Sequence, residues 1–131
     1  MKYGYTILYV KDVEATLGFY EQAFGFKKGF MTPECDYAEV VSGETTLAFA
    51  SLELANSHLL KKGFTTSSLE NPPFGIELAF ITENLEADFE TAKSMGAVEF
   101  EPIAEKPWGQ KVGYLRDNNG FLIEMASPMS E

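Results

Sequence analysis

The chain is poor in the residues that most often carry chemistry at neutral pH: its 131 residues hold one cysteine, one histidine and one tryptophan. A single cysteine, Cys35, cannot close an internal disulfide, and it removes any cysteine-based zinc cluster. Its surroundings, Pro33-Glu34-Cys35-Asp36, are acidic and disfavour a thiolate nucleophile. With His58 as the only imidazole, no Ser/His/Asp or Cys/His arrangement can be assembled convincingly. Basic residues are also scarce, 10 against 20 acidic ones, so the net charge is −10 and the pI is near 4.5. Such a chain has no basic face for phosphates, which excludes nucleic acid as a partner. The acidic balance serves either solubility or a cationic ligand. No apolar run reaches the length of a membrane span, and MKYGYTILYVKD lacks the apolar core of a signal peptide, so no membrane partner and a reducing, cytoplasmic setting are expected. Phosphate-cradling glycine loops are missing too, because Gly43, Gly63 and Gly75 stand alone and read as turns or close approaches.

What is present is a foldable α+β pattern, 45% hydrophobic and 14% aromatic, of a length that makes a single domain. Tyr5 to Val10 is a β-branched and aromatic run of strand length. Asp12 then stands as an N-cap, with Val13, Leu17, Tyr20 and Phe24 on one helical stripe and Gly25 as the C-terminal cap. Strands are expected over Lys27 to Thr32, Tyr37 to Ser42 and Thr45 to Ser51. The second half repeats the order: a strand from Phe74 to Ile81, Asn84 as cap, Leu85, Phe89, Ala92 and Met95 as the helical stripe before Gly96, and an edge strand from Val98 to Pro102. A terminal hairpin closes it, with strands Gln110 to Leu115 and Phe121 to Met125 around the Asp117-Asn118-Asn119-Gly120 turn, entered through a Pro107-Trp108-Gly109 corner. Asp12-Val13-Glu14-Ala15 matches Asn84-Leu85-Glu86-Ala87 at an offset of 72 residues, and Gly25 matches Gly96 at 71, which reads as an internal duplication. Two modules, 1–51 and 74–128, are thus joined by a long connection, 52–73, with a short helix from Leu52 to Lys61 and a sharp stop at Pro72-Pro73.

YTILYVKDVEATLGFYEQAFGF, GIELAFITENLEADFETAKSMGA and KPWGQKVGYLRDNNGFLIEMASP together resemble the vicinal oxygen chelate superfamily of glyoxalase I, bleomycin resistance proteins and extradiol dioxygenases. The resemblance spans nearly the whole chain. It implies two tandem βαβββ modules whose mixed sheets curl into a half-barrel around a cleft, and a homodimer. Metal-using members place His or Glu ligands on the first and last strands of each module. Carried onto this sequence, those positions are Tyr5, Glu77, Glu124 and either Leu47 or Ala48, so two of the four lack a metal donor. The resemblance then implies the metal-free, cofactor-free branch that binds small molecules, with the antibiotic-sequestering bleomycin resistance proteins as its best-known kind. A glyoxalase-type metal-dependent lyase or isomerase, completed by His58 or by a partner subunit, is the alternative, and a silent scaffold is a third reading.

Within this frame the expected ligand-binding residues are Tyr5, Phe49, Glu77, Trp108, Tyr114 and Glu124. Glu77 and Glu124 are carboxylates set in apolar strands, so each faces either solvent or a cleft; inside a cleft they would attract an amine or share a proton. Trp108 is either a rim-packing residue or a stacking wall for a flat ligand. Tyr5 and Tyr114 could lend hydroxyls, and Phe30 and Phe49 could line the hollow. Arg116, beside the turn, is expected to pair with a carboxylate in a structural role. His58 is either a solvated loop residue or a group that swings into the cleft.

Overall fold

The computed structural model describes residues 1–129, which form two compact units divided between Thr66 and Ser67. The first holds β1 (Tyr5–Val10), α1 (Val13–Phe24), β2 (Lys27–Met31), β3 (Tyr37–Ser42), β4 (Thr45–Ser51) and α2 (Leu52–His58). The second holds β5 (Glu77–Ile81), α3 (Leu85–Ser94), β6 (Val98–Glu105), β7 (Lys111–Arg116) and β8 (Leu122–Ala126). Each is a βαβββ module with its own four-stranded mixed sheet, ordered β1-β4-β3-β2 in one and β5-β8-β7-β6 in the other. The first strand pairs parallel to the last and the remaining pairs are antiparallel. The connection 52–73 is shared between the units rather than standing free of both.

In module one, α1 starts where the Asp12 side chain accepts from the Ala15 amide at 2.9 Å and stops at Gly25, whose φ of 74° places it in the left-handed region. Leu8, Val10, Ala38, Val40, Leu47 and Phe49 share the sheet face that α1 covers, and all are buried. Tyr20 of α1 is fully buried with its ring centroid 4.8 Å from that of Phe49. Tyr5, Ile7, Tyr9, Tyr37 and Glu39 lie on the opposite face, since side chains alternate along a strand.

Module two differs in detail. Asn84 occupies the N-cap position without a side-chain capping bond; the Thr82 hydroxyl accepts from the Asn84 amide at 3.1 Å and donates to Asp88 instead. The helix ends at Ser94, one residue short of the expected stripe; Met95 is the exposed C-cap, and Leu85, Phe89 and Ala92 are the buried positions of the helix. β5 begins at Glu77 rather than Phe74, and the Phe74 ring packs at 6.2 Å against Phe121. β6 runs past Pro102 to Glu105, which an edge strand with register shifts tolerates because the missing amide faces no neighbour. A Cβ on Gly113 of β7 would come within 2.6 Å of the Phe89 ring, so the absence of a side chain there lets α3 sit tightly on its sheet.

The turn between β7 and β8 is locked by two buried charged residues. Asp117 accepts from the amides of Asn119 at 2.8 Å and Phe121 at 2.9 Å. Arg116 does not meet the expected carboxylate. Its guanidinium donates to the carbonyls of Gly120 (2.9 and 3.0 Å), Ser68 (2.9 Å) and Leu69 (3.4 Å), tying the start of the second unit to the turn. Gly120 has φ 90°, and a Cβ there would lie 2.6 Å from the Ser68 carbonyl carbon.

Candidate functional site

The sheet register decides which carboxylates meet. Ala79 of β5 pairs with Glu124 of β8, and Glu124 pairs with Tyr114 of β7. Glu77, two residues before Ala79, therefore shares one face with Glu124 and Tyr114, the face opposite the one that α3 covers. The Tyr114 hydroxyl donates to Glu124 Oε1 at 3.2 Å. Glu77 is exposed at the start of β5, and partial desolvation, a hydrogen bond with Glu124 and that neighbour's charge together raise its carboxyl above its ordinary value. Burial also raises the Tyr114 phenol, helped by the charges of Glu124 and Glu77, so it stays a proton donor. Two carboxyls and a phenol in this arrangement can hold one proton between the acids or present acceptors to a cation. Lys106 Nζ already lies 5.8 Å from the Tyr114 ring centroid.

In module one the same register runs through Tyr5, Ile7 and Ala48: Ile7 pairs with Ala48 as Ala79 pairs with Glu124. The counterpart of Glu77 is thus Tyr5, and the counterpart of Glu124 is Ala48, not Leu47. Glu39 takes the place of Tyr114, since it pairs with Ala48. The Tyr37 hydroxyl donates to Glu39 Oε2 at 2.7 Å, and burial together with the Glu39 charge holds that phenol far above its ordinary value. Tyr5 is 56% exposed.

Two other expected residues are placed by packing. Phe49, expected to line the cleft, has no exposed surface and lies against Tyr20 on the face that α1 covers, so it is a core ring. Trp108 sits between β6 and β7 with 57% of its surface exposed, its indole N–H donating to Gln110 Oε1 at 2.9 Å while Gln110 Nε2 reaches the Ser127 carbonyl at 2.8 Å. The hydrogen bonds fix the ring at the surface, outside the core. Phe30 is half exposed, its ring 6.5 Å from that of Tyr37. Tyr37 and Leu54 were not singled out in the sequence, yet both line a hollow on the open face of module one, together with His58 on the last turn of α2. The alternation Tyr37-Ala38-Glu39-Val40, polar and apolar by turns, was the available signal for Tyr37.

The model of the Glyoxalase/Bleomycin resistance protein/Dioxygenase superfamily matches residues 2–125. The chain belongs to this superfamily. Among solved structures, a glyoxalase-related enzyme from Fulvimarina pelagi aligns at TM-score 0.80 and 21% identity, over 98% of this chain and 88% of the other. A glyoxalase/bleomycin resistance protein/dioxygenase family enzyme from Burkholderia phytofirmans PsJN aligns at TM-score 0.80 and 19% identity, over 95% and 96%. TioX from Micromonospora sp. ML1 aligns at TM-score 0.71 and 17% identity, over 97% and 98%. At these identities the likeness is one of fold. No curated protein matches the sequence.

The superfamily's metal-binding arrangement can be tested against the side chains here. Its four positions carry a phenol at Tyr5, a methyl at Ala48 and carboxylates at Glu77 and Glu124. A divalent transition metal wants three or more imidazole, thiolate or carboxylate donors in fixed geometry. Among the described residues no group of three His, Cys, Asp or Glu side chains is disposed to hold one. The donor set does not fit a resident metal.

Proposed function

We propose that this superfamily member is a metal-independent small-molecule-binding protein, in which Glu77 and Glu124 seat the amine of a flat organic ligand. The observation that carries this reading is the convergence of two carboxyls and the Tyr114 hydroxyl on one sheet face, with the Glu77 carboxyl raised by partial desolvation and by Glu124. Two carboxyls in contact, one of them raised by its neighbour, form a frustrated arrangement, and an incoming ammonium relieves it by offering N–H donors to both. Tyr114 holds one oxygen of Glu124, which leaves the other oxygens as acceptors. Trp108, in the same unit, supplies exposed aromatic surface for the flat part of the ligand. Sequestration of an amine-bearing toxic compound by a homodimer is the biological role that this chemistry suits, and the net charge of −10 favours a cation's approach.

The test uses 9-aminoacridine as a flat cation and acridine as its uncharged counterpart, with Ni²⁺ and Zn²⁺ titrated separately. The cation should bind in the presence of a chelator, and Glu124→Gln should weaken it by about tenfold, the loss of one charge-assisted hydrogen bond. Tight stoichiometric metal uptake abolished by Glu124→Gln, accompanied by turnover of a hemithioacetal, would overturn this reading in favour of a glyoxalase-type lyase.

A further inference from the structure

We propose that Asn119–Gly120 is a deamidation site held shut by the Arg116 tether, so that an opening of the turn between β7 and β8 is recorded as a permanent chemical change. The inference does not rest on the ligand reading. The asparagines of the chain are followed by Ser57, Pro72, Leu85, Asn119 and Gly120, so Asn119 alone precedes a glycine. That neighbour matters because the reaction uses its backbone nitrogen. The Gly120 amide gives up its proton and attacks Asn119 Cγ, the Cγ–Nδ2 bond breaks and ammonia leaves; the succinimide so formed takes up water and opens to aspartate or isoaspartate. A glycine, having no Cβ, leaves the attacking nitrogen unhindered once the backbone is free to move.

The folded turn denies the reaction that freedom. Gly120 is buried and its amide donates to the Asp117 carbonyl at 3.0 Å, so the nucleophile is engaged and its proton is held. The Asn119 backbone amide is fixed to Asp117 Oδ1 at 2.8 Å, and its side-chain amide donates to Asn118 Oδ1 at 3.1 Å. Ring closure requires Gly120 to rotate towards Asn119 Cγ, yet backbone atoms of Ser68 and Leu69 stand 2.6 to 2.8 Å from where a Gly120 Cβ would lie. Arg116 closes the clamp, because one guanidinium donates both to the Gly120 carbonyl and to the Ser68 carbonyl of the segment packed on it. The products do not fit the closed turn. Aspartate at position 119 sets a second negative charge beside the buried Asp117, and isoaspartate adds a methylene to a backbone whose φ of 90° at Gly120 is fixed by packing. The damage falls on the turn that joins the strands of Tyr114 and Glu124.

The experiment follows deamidation residue by residue, by peptide mass spectrometry of the full chain kept in mildly alkaline buffer, either folded or unfolded in urea. The account expects Asn119 in the folded wild type to react about tenfold or more slowly than in the unfolded chain, because the reaction waits for the turn to open. Arg116→Gln, shown by circular dichroism to be folded, should recover most of that difference, while Asn56, in α2 of the other unit, reacts no faster than in the wild type. If Arg116→Gln does not fold, Arg116→Lys keeps the charge without the fork and should react at a rate between those of the folded wild type and the unfolded chain. Equal rates at Asn119 in the folded and unfolded wild type would overturn the proposal. So would a folded Arg116 variant as slow as the wild type, or one in which Asn56 accelerates as much as Asn119.

Discussion

Modules one and two share a backbone plan and differ in what they hang on it. In both, the first strand lies parallel to the last with the same register, so that Tyr5 corresponds to Glu77, Ala48 to Glu124 and Glu39 to Tyr114. On the helix-facing side the correspondence is conservative in kind: Leu47 and Phe49 in one module, Ile123 and Met125 in the other, all buried. On the open side it is not. Module one presents tyrosines over alanines, and module two presents carboxyls over a tyrosine. The lesson is that alternation along a strand separates two demands: one face has to satisfy the helix, while the other can change its chemistry without disturbing the pairing.

The turns before the last strands give the sharpest contrast. Gly43 in module one has φ 56° with open space where a Cβ would go, whereas Gly120 in module two combines φ 90° with backbone atoms of Ser68 and Leu69 at 2.6 to 2.8 Å. Gly120→Ala should therefore destabilise the protein by about 2–4 kcal/mol, combining left-handed strain with displacement of a packed segment, and Gly43→Ala by about 1 kcal/mol from strain alone. Chemical denaturation of both variants measures the difference. Equal losses would mean that the 68–69 segment yields easily, and the account of the Arg116 tether would fail.

A second way to break the comparison is to copy module two's carboxylate into module one. Ala48 has no exposed surface, so Ala48→Glu should cost about 2–4 kcal/mol as an unpaired buried carboxylate. A neutral effect in thermal unfolding would show that the position is open and that the modules are closer chemically than their sequences suggest. A smaller effect is expected at Gly113, where Gly113→Ala must push back the Phe89 ring and Ile103 and should cost about 1–3 kcal/mol.

The smallest effect concerns pH. Glu77 binds its proton more tightly in the folded protein than in an unfolded chain, because partial desolvation and Glu124 oppose its charge. Its contribution to stability is therefore present below the ordinary glutamate range and fades as pH rises through the raised folded value, where the unfolded chain releases the proton more readily. Glu77→Gln should raise the melting temperature at pH 8, and the gain should shrink towards pH 4. A gain that grew on acidification would contradict the shared-proton arrangement.

Much of the fold was legible because its signals are local. Asp12 and Gly25 bracket α1 as their chemistry requires, and the 72-residue offset marks the repeated module in the sequence itself. The faces of strands were harder to read where both sides are apolar. Thr45 to Ser51 contains four consecutive buried residues, Leu47 to Ala50, so nothing in that run says that Phe49 points to α1; the pairing of Leu8 with Phe49 decides it. In β8, by contrast, Glu124 between Ile123 and Met125 breaks the apolar run and marks its own face. What stayed hidden depends on distant segments. Arg116 stands beside Asp117 in the sequence, yet its guanidinium donates to the Gly120 carbonyl and to the carbonyls of Ser68 and Leu69, the last two 48 and 47 positions upstream. Tyr37 and Leu54 likewise become cavity walls only when β3 and α2 are folded beside β1.

The most direct measurement of the central claim is calorimetric titration of 9-aminoacridine into chelator-treated protein, wild type beside the Glu77→Gln/Glu124→Gln double variant. The account predicts stoichiometric binding to the wild type that needs no added metal and disappears in the double variant. Binding that required a divalent ion, or that survived loss of both carboxylates, would contradict it.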